Sequence, residues 1–346
     1  MSILIGSFPE LARGPKGHAS VAGAVCTLAV ALCLSVSPRS AFAQCQGGDA
    51  KFTVNIVQLV PTEKIIRDAM SQLPKLTRDE IDRQVGLLQP SEVKSRVAGL
   101  NKAFHPAAIC FDWDGQVKAI PFDQLYVSNS PSRFHSNDSI LSEYYGKFPA
   151  GNRVLRLLIL PDMADLRIGT PIAAECARLN IDGVSPTDIP GWVRYPDVPD
   201  ICFMRRVFFS DSKANINNDY AVVHETGHWL GLGEAFDRDS FKLTEEDFNG
   251  VKKRMRLEET AEAECKKLNP VPRIGYDGST DTPVQRVPAG CEVAYSCTRG
   301  DDGRLKTVPK GNPMDYGFEQ AGCQLNLFSA GQIAILKKGA KYRQKP

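Results

Sequence analysis

His224, Glu225 and His228 stand in the pattern H-E-x-x-H, within AVVHETGHWLGL at 221–232. On a helix, positions i and i+4 share a face, so both imidazoles can reach one metal ion. Glu225 lies next along the chain, where its carboxylate can contact a water at that metal. Zinc in such a place lowers the pKa of the water, and the carboxylate takes its proton as the water attacks a carbonyl. H-E-x-x-H also arises by chance in structural helices. The apolar run before it and Gly231 after it weigh against chance.

Gly231 follows His228 by three residues, where the helix must stop. Glycine readily takes the left-handed conformation that a sharp turn needs, and the turn brings later residues back to the metal. The extended pattern H-E-x-x-H-x-x-G-x-x-H belongs to metzincin peptidases. Here the place of the last histidine is held by Glu234. Beyond a leader segment, the other histidines are only His105 and His135, both far along the chain. A carboxylate third ligand is simpler, and sites of two histidines and one glutamate support zinc hydrolysis. Glu234 is the first candidate by position and Asp237 the second. The rival arrangement takes its third ligand from a later helix, where Glu245 and Glu246 stand. Gly231 argues against that rival, as does Asn312-Pro313-Met314-Asp315-Tyr316, which looks like a turn that packs a methionine beneath the metal. Tyr316 could hydrogen-bond a developing oxyanion. Met314 taken alone reads as ordinary core.

The rest of the chain says where such a site would work. A formal net charge of +2 over 346 residues does not suggest a nucleic-acid binder. Arg13, Lys16 and His18 precede an apolar run from Val21 to Val36, and Ser40-Ala41-Phe42-Ala43 follows. That order reads as a signal peptide, residues 1–43, cleaved after Ala43. A membrane span needs about 20 apolar residues, and this run is shorter. A lipid anchor on Cys45 is disfavoured because Gln44 is bulky where such signals want a small residue. Eight cysteines remain after cleavage, and an even number in an exported chain reads as disulfides. The absence of any C-x-x-C pair argues against a zinc knuckle or a redox dithiol. The product is therefore expected to be secreted or periplasmic, with no membrane attachment after signal removal.

The elements that must position the site follow from periodicity. Phe52 to Val60 alternates and reads as a strand, and Thr62 to Leu73 reads as a helix. Thr77 and Glu80 form a capping box for a second helix. Ser91 is placed to cap a third, running to Phe104 with Val93, Val97, Leu100 and Phe104 on its apolar face. Ala107 to Trp113 is a strand, 114–152 reads as irregular, and Val154 to Leu160 is a buried central strand. Ile201 to Ser210 is more polar and suits a sheet edge, along which a substrate would lie. Helices follow over Asn218–Leu232, over Thr244–Leu268, and after a capping box at Ser329–Gln332. Pro270 to Gly311 is loop-rich. Strands and helices alternate early, and helix and loop dominate later, so the fold class is α+β, one domain with a cleft.

The combined motifs resemble the pappalysin (cytophagalysin) family of metzincin zinc metallopeptidases. The resemblance is carried by HETGHWLGL at 224–232, Asp281-Thr282-Pro283, Cys291, Cys297, Cys323, Asn312 to Tyr316, Phe328 to Gln332 and Leu100 to Phe104. It spans roughly 50–346 and is most specific in the last third. It implies a metzincin-like catalytic domain over 44–346: a twisted mixed sheet, an active-site helix, and an irregular, disulfide-linked lower subdomain. It implies endopeptidase activity on protein or peptide substrates, with zinc held by His224, His228 and a third ligand at the place where this chain has Glu234, and with Glu225 and Tyr316 catalytic. It also implies the pairings Cys265–Cys297 and Cys291–Cys323. Calcium occurs in relatives, and Asp277, Asp281, Asp301 and Asp302 could supply oxygens for it. The chain departs from the family at Glu234 and carries probable insertions at 61–90 and 238–276. Glu234 motivates one alternative, a catalytically weak or inactive relative that binds peptides or proteins.

Overall fold

In a computed structural model, the structure describes residues 45, 49–72, 77–124, 144, 146–161, 174–176, 201–209, 218–236, 258–268, 270–271, 273–286, 295–307, 311–315 and 327–345. The alternation that begins at Phe52 belongs to β1, Ala50–Pro61. Its Phe52, Val54 and Ile56 enter one core, and its Val57 and Leu59 enter a second core. Both faces of β1 are therefore covered, and the strand sits inside a sheet. Gln58, buried at its centre, is satisfied: Nε2 donates to Gly86 O at 2.8 Å and Oε1 accepts from the Leu88 N–H at 2.8 Å. That matters because a buried amide without partners costs about 1–3 kcal/mol.

Three helices lead from β1 to the next strand: α1, Glu63–Gln72, α2, Arg78–Val85, and α3, Pro90–Phe104. The Thr77–Glu80 capping box opens α2 as expected. The start of α3 differs from the sequence reading. Its N-cap is Gln89, whose N–H donates to Glu92 Oε2 at 2.7 Å, and Pro90 takes the first helical position. Proline fits there because its missing N–H would have no helical partner. Val93, Val97, Leu100 and Phe104 all face the core, as their spacing predicts. Each such buried side chain contributes about 1.5–3 kcal/mol.

β2, Ile109–Phe122, pairs in parallel with β1 and runs well into the stretch that reads as irregular. A bulge explains the difference. The register with β1 shifts between Val54 and Ile56, whose partners are Trp113 and Val117, and Gly115 between them takes a φ of +84°. The bulge inserts turn-like residues without ending the strand. β3, Val154–Leu160, pairs with the other side of β1 and is central, as its apolar run predicts.

The sheet is completed by β5, Cys202–Arg205, and β4, Ala174–Cys176, in the order β2-β1-β3-β5-β4. All pairs are parallel except β4 with β5. The polar character of 201–210 suggests a sheet edge, but β4 covers β5 through Ala174↔Met204, Glu175↔Phe203 and Cys176↔Cys202. The edge strand is β4. Three residues give too little pattern for a strand to be read from sequence.

On one face of the sheet, α3 packs with α4, Asn218–Trp229, and α6, Ala330–Arg343. A third core lies around Cys265, Tyr276, Val284, Cys297 and Leu305. It is built from α5, Glu258–Cys265, and a two-stranded sheet of β6, Tyr295–Arg299, and β7, Leu305–Thr307. Within the expected helix over 244–268 the described helix is α5, and 244–257 lie outside the described residues. The chain is thus a mixed α/β domain with a largely parallel sheet, a helix carrying H-E-x-x-H, and a loop-rich lower part.

Cys265 pairs with Cys297, their Cα atoms 5.2 Å apart, as the resemblance implies. Two further bridges, Cys45–Cys110 and Cys176–Cys202, link the residue ahead of β1 to β2 and β4 to β5. Cys291 and Cys323 lie outside the described residues, as do 1–43. No described helix is long and apolar enough to cross a membrane.

Candidate metal centre

α4 is nearly all buried, so its sequence is apolar around most of its circumference. Gly227 in its interior costs about 1 kcal/mol of helix propensity relative to alanine. Packing requires it: a Cβ there would lie 2.5 Å from the Met314 sulfur. Met314 is fully buried beneath the helix, as its reading as a turn methionine implies. The Tyr220 hydroxyl donates to the Asn312 carbonyl and ties the first turn of α4 to the same segment.

The helix ends where Gly231 predicts. The Gly231 N–H donates to His228 O at 2.9 Å, and the Leu232 N–H donates to Gly227 O at 3.0 Å. Gly231 has a φ of +105°. This pair of bonds around a left-handed glycine is the Schellman motif, and it reverses the chain. The returning segment is fixed on both sides of Glu234. The Gly233 N–H donates to Asp277 O at 3.1 Å, and the Ala235 N–H donates to Met314 O at 2.8 Å.

The turn therefore delivers Glu234 to the two histidines. His224 Nε2 is 3.3 Å from Glu234 Oε2, and His228 Nε2 is 3.5 Å from Glu234 Oε1. The two Nε2 atoms are 3.1 Å apart. Among the described residues, these three form a group with ligand atoms mutually within 4.8 Å. Zinc bonds of 2.0–2.1 Å in a tetrahedron separate ligand atoms by about 3.3 Å. The two nitrogens and the carboxylate, which meets His224 through Oε2 and His228 through Oε1, lie close to that figure.

The outer partners fit as well. His224 Nδ1 lies 2.8 Å from the Pro313 carbonyl, and His228 Nδ1 lies 2.8 Å from the Leu232 carbonyl. A carbonyl only accepts, so each Nδ1 carries the hydrogen and each Nε2 turns its lone pair inward. Two such nitrogens at 3.1 Å need a cation between them, a proton in the metal-free protein or a metal ion. Burial disfavours the His224 imidazolium, but Glu234, Glu225 and the Pro313 carbonyl outweigh it and push its pKa up to about 9 without metal. Burial likewise opposes the charged form of Glu234, yet the two histidines hold its carboxyl well below the usual range.

Glu225 is buried beside this group, and burial pushes its carboxyl up. Its Oε2 accepts from the Cys176 N–H of the edge strand at 2.8 Å. Sequence gave no sign of this donor, because it is a backbone group on a distant, three-residue strand.

No family model matches this chain, and no curated protein matches it. Among solved structures, one described as "Mirolysin in complex with compound 9" matches with a TM-score of 0.45 and 14% identity, covering 86% of this chain and 99% of that chain.

Of the other sequence candidates, Tyr316, Asp237, Glu245 and Glu246 lie outside the described residues. Asp277 and Asp281 are engaged by donors. Asp277 Oδ1 accepts from the Ser279 N–H at 2.9 Å, and its Oδ2 accepts from Gln332 Nε2 at 2.7 Å. Asp281 accepts from the hydroxyls of Ser279 and Ser329 and from the Gly331 N–H. Both carboxylates thus fasten the lower loops to the first turn of α6. Gln332 also donates to Asn312 Oδ1 at 3.1 Å, and the Met314 N–H donates to the same oxygen at 2.9 Å. The sequence shows Gln332 only as the third residue of a capping box. Its second task, bracing the segment under the metal centre, needs the fold to be visible.

Proposed function

We propose that the chain is an exported zinc-dependent endopeptidase that cleaves protein or peptide substrates. The observation that carries this reading is the convergence of His224 Nε2, His228 Nε2 and the two oxygens of the Glu234 carboxylate, at 3.1, 3.3 and 3.5 Å, with a buried carboxylate one residue from the first histidine. Three protein ligands with a fourth position open is the arrangement of a catalytic zinc site. Zinc bound there supplies positive charge that polarises a carbonyl and acidifies a water. Glu225 would take the proton of the water as its oxygen bonds to the scissile carbonyl carbon, through the carboxylate oxygen not engaged by the Cys176 N–H, and would pass that proton to the amine nitrogen as the C–N bond breaks. Met314 and Gly227 set the floor, and the Pro313 and Leu232 carbonyls fix both imidazole tautomers. Tyr316, two residues past Met314, is the proposed donor to the oxyanion. An extended substrate would run along β4, the strand at this edge of the sheet. Three disulfides among the described residues suit an oxidising compartment.

Glu234 in the place of a histidine favours a second reading, a peptide-binding relative without activity. A base that is kept, buried and held by its own donor speaks for the enzyme. Zinc content and casein cleavage, each with and without a chelator, separate the two. One zinc per chain and chelator-sensitive cleavage support the enzyme, whereas bound zinc without cleavage of any protein substrate supports the binder.

A further inference from the structure

We propose that the Cys176–Cys202 disulfide positions the general base, by clamping the edge strand in the one register that turns the Cys176 N–H onto Glu225. This rests on the reading of Glu225 as the base. β4 has three residues, and its pairing with β5 is the antiparallel pair of the sheet. A strand so short gains little from its own ladder and is free to slip. The Cα atoms of Cys176 and Cys202 are 4.1 Å apart. That is close to the roughly 4.5 Å of a pair without mutual hydrogen bonds, against about 5.5 Å for a hydrogen-bonded pair. In the close pair the N–H points away from the neighbouring strand. The Cys176 N–H accordingly goes to Glu225 Oε2 at 2.8 Å. A slip by one residue would turn the Cys176 N–H into the sheet and its side chain to the other face, and would take this donor from the carboxylate. Both cysteines are buried, and both join the core that packs α4. One covalent bond therefore fixes the strand register, the direction of a single N–H, and the orientation of the carboxylate that accepts it.

The test removes the bridge and keeps the backbone N–H. In the full chain, Cys176→Ser with Cys202→Ser should leave one zinc bound and KM within about twofold, while kcat falls about 10- to 100-fold, the range for a misplaced reacting group. Cys45→Ser with Cys110→Ser removes a bridge at the far edge strand and should leave kcat unchanged. A kcat within twofold of the unmutated protein after loss of Cys176–Cys202 overturns the proposal. So does an equal fall in kcat for both pairs, which would mark a general loss of rigidity. If the serine pair fails to fold, Cys176→Ala with Cys202→Val fills the space with apolar atoms and carries the same test. Failure of both to fold makes the bridge a requirement of the fold and also overturns its positioning role. If Glu225→Gln retains full activity, the base is misassigned, and that result stands apart from any measurement on the cysteines.

Discussion

Neutralising Glu234 tests the metal centre at the residue that sets it apart. Glu234→Gln keeps the side-chain shape and removes the charge, while the Pro313 and Leu232 carbonyls still fix both histidines. Spacings of 3.1, 3.3 and 3.5 Å, the last two to different oxygens of one carboxylate, bring all three side chains round one point. Zinc binding of about 10–16 kcal/mol over four protein ligands is roughly 3–4 kcal/mol for each. Losing one ligand should then weaken zinc about 10²–10³-fold, at about 1.4 kcal/mol per decade. With free zinc buffered at about 100 times the Kd of the unmutated protein, zinc adds about 2.7 kcal/mol of stability. The variant would sit at or below its own Kd and gain at most about 0.4 kcal/mol. At about 2–4 °C per kcal/mol, a zinc-dependent rise in Tm of roughly 5–11 °C should shrink to about 1 °C. Thermal unfolding in zinc buffers, with bound zinc measured after dialysis, reads both quantities. A variant that keeps the full rise refutes Glu234 as a ligand, and Asp237→Asn losing the rise instead would name its replacement. Glu234→His keeps a donor and should retain zinc.

Glu225→Gln should keep zinc and lose about 10²–10⁴-fold in kcat, because the base goes and the ligands stay; a cleavage rate equal to that of the unmutated protein sinks the mechanism. Gly227→Ala gains about 1 kcal/mol of helix propensity. Its Cβ, 2.5 Å from the Met314 sulfur, should nonetheless make the variant less stable by about 1–3 kcal/mol in denaturant titration. Asp281→Ala removes the acceptor shared by Ser279, Ser329 and Gly331. It should cost about 1–3 kcal/mol of stability and leave zinc content unchanged, since Asp281 holds α6 and is outside the ligand group.

Much of the metal centre was legible because its signals are local. The i, i+4 histidines need only a helix, and Gly231 marks the end of that helix by its conformation alone. Glu234 followed from counting three residues past the glycine. The same holds for Thr77, for Ser329 and for the apolar face of α3, each of which depends on neighbours within one or two turns. Ser91 reads as a cap two residues late because Pro90, at the first helical position, sets the cap at Gln89, and 114–122 reads as irregular because a bulge looks like a turn in one dimension.

The sequence by itself determined the candidate ligand types, the helix that presents two of them, the turn that returns the third, and the cysteine content that suits an oxidising compartment. These are properties of chain segments a few residues long, fixed by side-chain chemistry and backbone sterics. Tertiary structure alone decided that β4 and not β5 holds the sheet edge. It alone paired Cys176 with Cys202 and turned the Cys176 N–H onto Glu225. It alone brought the Pro313 and Met314 carbonyls, distant in the chain, to His224 and Ala235. Those contacts are made by backbone groups, which every residue carries alike. No residue type or spacing can announce them, and only the packing of distant segments determines which N–H meets which oxygen.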